Sequence, residues 1–178
     1  MLKILAVIAA IVVAALGGVL ALAMTKPDHF RIERRAAIKA PPDKVFALIE
    51  DFRAWRAWSP YETKDPDMQR SYSGADRGRG ARYAWSGNGN VGSGRMEIVE
   101  AAAPSTLRIK LDFSTPFEAH NIAEFTLVPR GEATEVSWAM DGPAPLLSKV
   151  MQVFFDFDKM IGGDFEAGLA SLKASAER

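Results

Sequence analysis

An uninterrupted apolar run opens the chain, and residues 4–24 carry no charged or polar side chain. As an α-helix with a rise of about 1.5 Å per residue, this run would be about 31 Å long, which matches the roughly 30 Å of a bilayer's hydrocarbon core. The pattern therefore predicts a transmembrane anchor. Residues 1–3 form a short tail before it, and residues 25–29 form a linker after it.

The same run also has features of a cleaved signal peptide. Lys3 supplies the basic start of such a peptide, and Ala21-Leu22-Ala23 has the small-x-small pattern of a cleavage site. The apolar stretch is longer than the roughly 7–15 residues usual for signal peptides, which favours an uncleaved anchor in a single-pass membrane protein. More basic residues follow the run than precede it, which by count favours a cytoplasmic domain, but most of them fall in the predicted strand at residues 30–39, where the count loses force. The very short N-terminus favours a domain on the exported, periplasmic or extracytoplasmic side.

Residues 30–178 alternate between strand-like and helix-like patterns and predict one globular domain. Residues 30–39 predict a strand. Pro42 and Asp43 predict the first turn of a helix, because proline suits that turn and an acidic side chain complements the helix dipole. Alternating apolar and polar residues then predict six more strands. These strands cover residues 68–73, 80–85, 91–99, 107–113, 117–128 and 133–140.

Apolar residues recur every three or four positions from Pro145 to Ala176, which predicts one long C-terminal helix. Gly162-Gly163 interrupts the pattern. Since each glycine costs about 1 kcal/mol in a helix relative to alanine, we expect a kink or a close packing contact there. A solvated polar face is expected opposite the apolar stripe, formed by Asp156, Asp158, Asp164 and Glu166, and Asp158-Lys159 is also a candidate for pairing with residues of the sheet. The order of a strand, a helix, six strands and a final helix is typical of an α+β fold.

Charge and composition exclude several functions. The chain has 22 basic and 22 acidic residues, so no net positive charge attracts it to nucleic acid. It has no cysteine, which excludes disulfides, thiolate metal ligands and cysteine nucleophiles. With His29 and His120 as its two histidines, a zinc site is not expected, and no other metal or cofactor is predicted. Gly87-x-Gly89-x-x-Gly92 matches a dinucleotide-binding motif literally, but a strand pattern follows it, so we interpret it as a hairpin turn.

Five segments carry a recognisable family pattern: Ile38–Phe46, Asp51–Trp55, Trp58–Pro60, Gly87–Glu97 and Asp158–Leu169. Together they resemble SRPBCC (START-like) domains, in the subgroup described as polyketide cyclase/dehydrase and lipid transport. The resemblance covers residues 30–177 and implies a helix-grip fold, in which a curved antiparallel sheet wraps a long C-terminal helix and encloses an elongated apolar cavity. It specifies the fold better than the chemistry, because the superfamily includes lipid carriers, hormone receptors, chaperone activators and cyclases.

In a helix-grip fold, aromatic side chains of the sheet's inner face and of the final helix would line the cavity. The same side chains would form the core of a filled domain, so ligand contact and simple packing are both open interpretations. The predicted ligand-binding residues are Trp58, Tyr83, Trp85, Phe113, Asn121, Phe125, Trp138, Phe154 and Phe157.

Two further residues are candidates for catalysis. His120 is a candidate general base, because histidine titrates near neutral pH, although a surface position at a strand end is the alternative. Glu62 is expected near the cavity mouth, where it would orient a polar group or serve only as an exposed loop carboxylate.

Three functions fit these observations. The first is membrane-tethered binding or transport of a hydrophobic small molecule or lipid, driven by burial of apolar surface. The second is an interaction module that regulates a protein partner, as the chaperone-activating relatives imply. The third is an enzyme resembling a polyketide cyclase or dehydratase, which would need polar groups with shifted pKa values inside the cavity. Binding is the preferred hypothesis, and neither a protein partner nor a reaction is specified by the sequence.

Overall fold

One seven-stranded antiparallel sheet forms the centre of the protein in the computed structural model, which describes residues 1–178 with the exception of the Leu2 side chain. The strands are β1 (His29–Ile38), β2 (Gln69–Gly74), β3 (Ala81–Ser86), β4 (Ser93–Ala102), β5 (Thr106–Thr115), β6 (Ala119–Arg130) and β7 (Ala133–Pro143). Their order in the sheet is β1-β7-β6-β5-β4-β3-β2. Each strand from β2 to β6 therefore pairs with the strand that follows it in the chain, and β1 pairs with β7. All seven predicted strands are present.

The helices lie before, between and after the strands. They are α1 (Leu2–Met24), α2 (Pro42–Ile49), α3 (Pro60–Lys64), α4 (Leu146–Phe154) and α5 (Phe157–Ala176), with a short 3-10 helix at Ala54–Ala57. The predicted start of α2 is confirmed, since Pro42 and Asp43 lie in its first turn. The 3-10 helix and α3 were not predicted from the sequence.

The loop Gly87–Gly92 is a hairpin connection between β3 and β4. Its ends are joined by the amide of Gly87, which donates to the carbonyl of Gly92 at 2.9 Å. Gly92 has a φ of +63°, a conformation that favours glycine. A strand follows this loop, so the interpretation as a hairpin turn is confirmed.

The expectation of one C-terminal helix is wrong, because α4 ends at Phe154 and α5 begins at Phe157. The break lies at Phe155 and Asp156, where Asp156 caps α5 by accepting a hydrogen bond from the Lys159 amide at 3.0 Å. The glycine pair does not break α5. Instead, a Cβ at Gly162 would clash with the guanidinium of Arg34. Of the kink and the close packing contact expected at the glycine pair, the close packing contact is confirmed.

Ion pairs hold α5 against its neighbours. Arg34 of β1 pairs with Asp158 at 2.8 Å and with Glu166 at 2.7 Å, and its hydrogen bond lowers the pKa of Asp158. Lys64 of α3 pairs with Asp164 at 2.6 Å. Asp158 and Glu166 remain exposed, as expected for a solvated face, and the expected pairing of Asp158 with the sheet is present. Together with Asp164, these carboxylates also connect α5 to β1 and α3.

The sheet curves around α5, which gives the helix-grip fold. Trp138 of β7 stacks on Phe165 of α5 with ring centroids 4.2 Å apart, so the middle of the helix lies directly on the sheet. The core extends from this contact to α2, whose Val45, Phe46 and Ile49 are buried. Apolar burial on the inner face thus fixes where α5 lies relative to the strands.

The helix α1 projects from this domain. It is long and apolar enough to cross a membrane. Its residues from Lys3 to Met24 are exposed, except for the half-buried Val19 and the fully buried Ala23. Its end packs against α4.

Candidate functional site

A cavity of about 760 Å³ lies between the inner face of the sheet and the helices α3, α4 and α5. This volume falls within the roughly 300–1,000 Å³ of small-molecule sites. Its deep wall is formed by buried aromatic and aliphatic side chains from five consecutive strands and two helical segments. They are Trp55, Tyr83, Trp85, Met96, Leu111, Ala123, Trp138, Met140 and Phe165.

The exposure of the lining residues locates the opening. Phe117, Leu147 and Met160 line the cavity yet are at least half exposed, whereas the deep wall is buried. Asn90 of the β3–β4 loop also lines the cavity and is exposed. The mouth therefore lies where the β3–β4 loop, the β5–β6 loop, α4 and the start of α5 meet.

A largely shielded ion pair between Glu62 and Arg70 forms the principal polar feature beside the cavity. Nε of Arg70 donates to Oε2 of Glu62 at 2.6 Å, and the two side chains are 12% and 7% exposed. The Arg70 guanidinium also donates to backbone carbonyls, including that of Met68. The alternative of an exposed loop carboxylate for Glu62 is wrong, because α3 turns this side chain inward. Glu62 itself lines the cavity, so its predicted position near the site is in agreement with the structure.

The Tyr83 hydroxyl completes this polar cluster by donating to Oε1 of Glu62 at 3.0 Å. Burial and the adjacent negative charge of Glu62 raise the pKa of Tyr83 well above its usual range. Tyr83 therefore stays protonated at neutral pH and keeps its hydrogen bond. Its ring lies between Trp85 and Tyr72, with centroid separations of 6.0 and 5.3 Å.

Asn121 is a second polar group at the wall. It lies opposite Leu111 in the β5–β6 register, on the inner face, and it is buried. Its Nδ2 makes a long contact to the Met140 sulfur at 3.9 Å, and its carboxamide has no other hydrogen bond among the described residues. A thioether is a weak acceptor, so this amide retains most of its hydrogen-bonding capacity.

His120 borders the cavity at the start of β6, but its side chain projects from the outer face of the sheet. It stands opposite Asp112 in the register, and Nδ1 of His120 lies 2.7 Å from Oδ1 of Asp112. Burial acts to raise the pKa of Asp112, but hydrogen bonds from His120 and Arg95 outweigh it and leave that pKa below its usual value. The imidazole is exposed and belongs to this outer cluster, so the structure does not bring it together with Glu62.

The predicted ligand-binding residues divide into three groups. Those that line the cavity are Tyr83, Trp85, Phe113, Asn121, Trp138 and Phe157. Trp58 and Phe125 are buried behind this wall, where their rings pack against Trp138 with centroid separations of 5.6 and 5.0 Å. Phe154 is exposed on α4. Contact of any of these residues with a ligand remains a prediction.

Sequence reasoning missed Trp55 and the methionines of the wall. All five methionines that follow α1 line the cavity: Met68, Met96, Met140, Met151 and Met160. Methionine is flexible and polarisable, and it adapts to ligands of irregular shape. The alternation in β4 and β7 placed Met96 and Met140 on the inner face, which is a signal that would have identified these two.

The fold and the cavity together define the class of protein: a helix-grip domain of the SRPBCC (START-like) kind, with an apolar interior that opens at one end. The chain belongs to the polyketide cyclase/dehydrase and lipid transport family, whose sequence profile matches residues 29–177.

Solved structures resemble this chain in fold. A protein from Chromobacterium violaceum shares 17% identity, covers 86% of this chain and 99% of its own, and has a TM-score of 0.60. The Aha1 dimer from Colwellia psychrerythraea shares 17% identity over 83% of this chain and 96% of its own, with a TM-score of 0.60. Major latex-like protein 151 from Panax ginseng shares 12% identity over 85% of this chain and 100% of its own, with a TM-score of 0.59. Among curated proteins there is no match.

Proposed function

We propose that this protein is a membrane-tethered binding or transport protein for a hydrophobic small molecule or lipid. The observation that carries the proposal is the cavity of about 760 Å³ with its aromatic and methionine-rich wall. Each CH₂ group that a ligand buries there contributes about 0.8 kcal/mol, so apolar area alone supplies substantial affinity.

The polar groups of the wall indicate the chemistry of the ligand. Arg70 is already paired with Glu62, and the Glu62 carboxylate would repel a carboxylate or a phosphate placed in the cavity. Asn121, by contrast, offers a carboxamide whose one hydrogen-bond contact among the described residues is to a sulfur. We therefore infer a largely apolar ligand with a neutral hydrogen-bonding group, such as a hydroxyl or a carbonyl.

The helix α1 supplies the tether in this proposal. Its length and composition suit a membrane span, and an uncleaved α1 would hold the cavity at a source of hydrophobic ligands. The proposal places the domain on the exported side of the membrane. Recovery of the mature protein from the membrane fraction with an intact Met1 or Leu2 end would support the anchor, whereas an N-terminus beyond Ala23 would identify a cleaved signal peptide.

Identification of the co-purified ligand tests the binding function. The full chain would be purified in a mild detergent, and native mass spectrometry and extraction would be used to detect bound molecules. Ala123→Trp places a ring inside the cavity, and Ile122→Trp places the same ring on the outer face of the same strand. We expect a ligand in the wild type and in Ile122→Trp but not in Ala123→Trp. Absence of ligand from all three, with no binding to a panel of lipids, would contradict the proposal.

The two alternatives receive less support. A partner module would combine a large exposed apolar patch with a filled interior, and the cavity does not match the second of these features. The enzyme needs a proton donor or acceptor at the cavity wall, and the raised pKa of Tyr83 disfavours proton release at neutral pH. Turnover by the purified protein that is lost in both Glu62→Gln and Tyr83→Phe would nevertheless favour the enzyme.

A further inference from the structure

Large apolar side chains are exposed around the mouth of the cavity. We call these residues the mouth rim: Phe117, Leu146, Leu147, Phe154, Phe155 and Met160, each between 50% and 65% exposed. Three of them, Phe117, Leu147 and Met160, also line the cavity. Clusters of this kind mark interaction surfaces, because burial of one such side chain is worth about 1.5–3 kcal/mol.

The helix α4 contributes half of the mouth rim and is unusual in its burial. Its sequence is mostly apolar, yet none of the nine residues described for it is buried. A helix of this composition is stable in a domain when another apolar phase covers its outer face. The exposed apolar face of α4 therefore requires a covering apolar phase.

The packing of α4 against α1 places α4 next to the segment predicted to span the membrane. The residues of α1 that lose exposure are Val19 and Ala23, which share one face of its last two turns, and α4 is the helix that packs against α1. If residues 4–24 span the hydrocarbon core, these turns lie at its edge. The position of α4 beside them places it at the boundary between acyl chains and head groups.

Contacts of the linker fix this arrangement. The amide of Ala144, just before α4, donates to the carbonyl of Asp28 at 2.7 Å. Lys149 of α4 pairs with the Asp28 carboxylate at 2.5 Å. Asp28 of the linker thus contacts both the residue before α4 and Lys149 within it. These contacts fix the position of α4 relative to the end of α1.

We propose that the mouth rim docks into the same bilayer that α1 crosses, so that the cavity opens directly onto acyl chains. This inference rests on the proposed function, since it requires α1 to remain as an anchor. Interfacial helices of this kind enter the membrane by about 5–10 Å. A hydrophobic ligand would then pass between the bilayer and the cavity without crossing water.

Charge near the mouth defines the type of membrane attachment. Exposed acidic residues, Glu118, Asp156 and Asp158, accompany the basic Lys159, so no positive surface dominates. Docking therefore depends on apolar insertion and occurs on neutral lipid. We expect it in vesicles of phosphatidylcholine alone, with little change when anionic lipid or salt is added.

Fluorescence quenching in membranes tests the inference directly. Because the chain lacks cysteine, single cysteines at Leu147, Phe154 and Met160 can each carry an environment-sensitive nitrobenzoxadiazole label. The full chain is reconstituted into phosphatidylcholine vesicles that contain a nitroxide lipid labelled near the top of its acyl chain. We expect blue-shifted emission and strong quenching at these three positions. A label at the exposed Glu132, in the β6–β7 turn, should remain solvent-like and unquenched.

A label at Val12, which lies near the middle of the span, is measured with a nitroxide lipid labelled near the end of its acyl chain, and it separates failure of this inference from failure of the proposed function. If Val12 is quenched by lipid and the three rim positions are not, the docking inference is overturned while the anchor stands. If Val12 is not quenched, the anchor itself is overturned. Rim labels that are blue-shifted but unquenched by lipid would show that protein, and not lipid, surrounds them, which would also overturn the inference.

A kinetic experiment tests the consequence for ligand transfer. Leu146→Glu with Phe155→Glu changes rim residues that do not line the cavity, and Val99→Glu is a matched control on an exposed apolar residue of β4. The probe is N-phenyl-1-naphthylamine loaded into phosphatidylcholine vesicles. We expect the double variant to take up the probe several-fold more slowly than the wild type and the control, with equal binding at equilibrium in detergent. Equal uptake rates would contradict direct transfer from the bilayer.

Discussion

Gly168 of α5 lies against the ring of Trp138 in β7, so close that a Cβ at position 168 would come within 2.6 Å of Cζ3 of that ring. The same Cβ would lie 3.0 Å from Cδ of Pro60. Trp138 is buried and lines the cavity, and its ring stacks on Phe165 of the same helix. The absence of a side chain at position 168 therefore sets how closely α5 approaches the sheet and, with it, one wall of the cavity.

Gly168→Ala should destabilise the protein, because neither the buried ring nor Pro60 can move away freely. Overpacking of this kind costs about 1–3 kcal/mol. Gly163→Ala is the matched control on the same helix, where the space around the glycine is open, and it should stabilise by up to about 1 kcal/mol through helix propensity. Thermal unfolding of the three proteins in the same detergent measures the difference. Equal melting temperatures for the two variants would contradict the close contact.

The ion pair between Glu62 and Arg70 should be costly to break. Glu62→Gln leaves the largely shielded Arg70 guanidinium without its carboxylate, and loss of a hydrogen bond between charged groups costs about 1.5–3 kcal/mol. Tyr83→Phe removes one hydrogen bond to the same carboxylate and should cost about 1.5–3 kcal/mol. Denaturant unfolding of both single variants and the double variant measures their coupling. Strictly additive losses would indicate that the three side chains do not act as one cluster.

Tyrosine ionisation should follow unfolding rather than precede it. The chain has three tyrosines, and burial raises the pKa of Tyr61, Tyr72 and Tyr83 alike. In the unfolded chain they ionise near pH 10. Since the folded pKa values are higher, the protein should hold its full tyrosine-linked stability below about pH 10 and lose it as the pH rises further. Tyrosinate absorbance and near-ultraviolet circular dichroism should change together, and native-state titration with a midpoint near 10 would disagree with this prediction.

Asn121→Leu should separate stability from ligand binding. Burial of a poorly bonded amide costs about 1–3 kcal/mol, so an apolar side chain of similar size should raise the melting temperature of the ligand-free protein. The same change should reduce the amount of co-purified ligand if its polar group bonds to Asn121. A variant that is less stable, or that retains the full amount of ligand, would show that the amide is satisfied within the protein.

Much of the fold follows from local patterns. The alternation in β5 and the apolar stripe of α5 predict which residues face inward, because side-chain direction repeats every two residues in a strand and every three to four in a helix. The apolar run at residues 4–24 is likewise visible from neighbouring residues alone. The break before Asp156 was less visible, since apolar periodicity continues through Phe154 and Phe157 on either side of it.

The candidate site was only partly predictable. His120 and Asn121 are adjacent in β6, so their side chains project from opposite faces of the sheet, and alternation places Asn121 on the same face as Phe125. The pairing of Asn121 with Leu111 and of His120 with Asp112 shows that this is the inner face. Likewise, Trp55 and Trp58 follow each other in one helical segment, and its packing sends Trp55 to the cavity wall and Trp58 behind it.

Local patterns and composition specify the apolar segment, the seven strands, the family and the zero net charge, because each depends on neighbouring residues or on residue counts. The three-dimensional packing specifies that Glu62 turns inward beside Arg70, that α4 lies on α1, and that exposed apolar residues surround the cavity mouth. These features join residues that are distant in the chain, or depend on which side of an element turns inward. They result from packing of the whole domain, and local sequence patterns do not predict them.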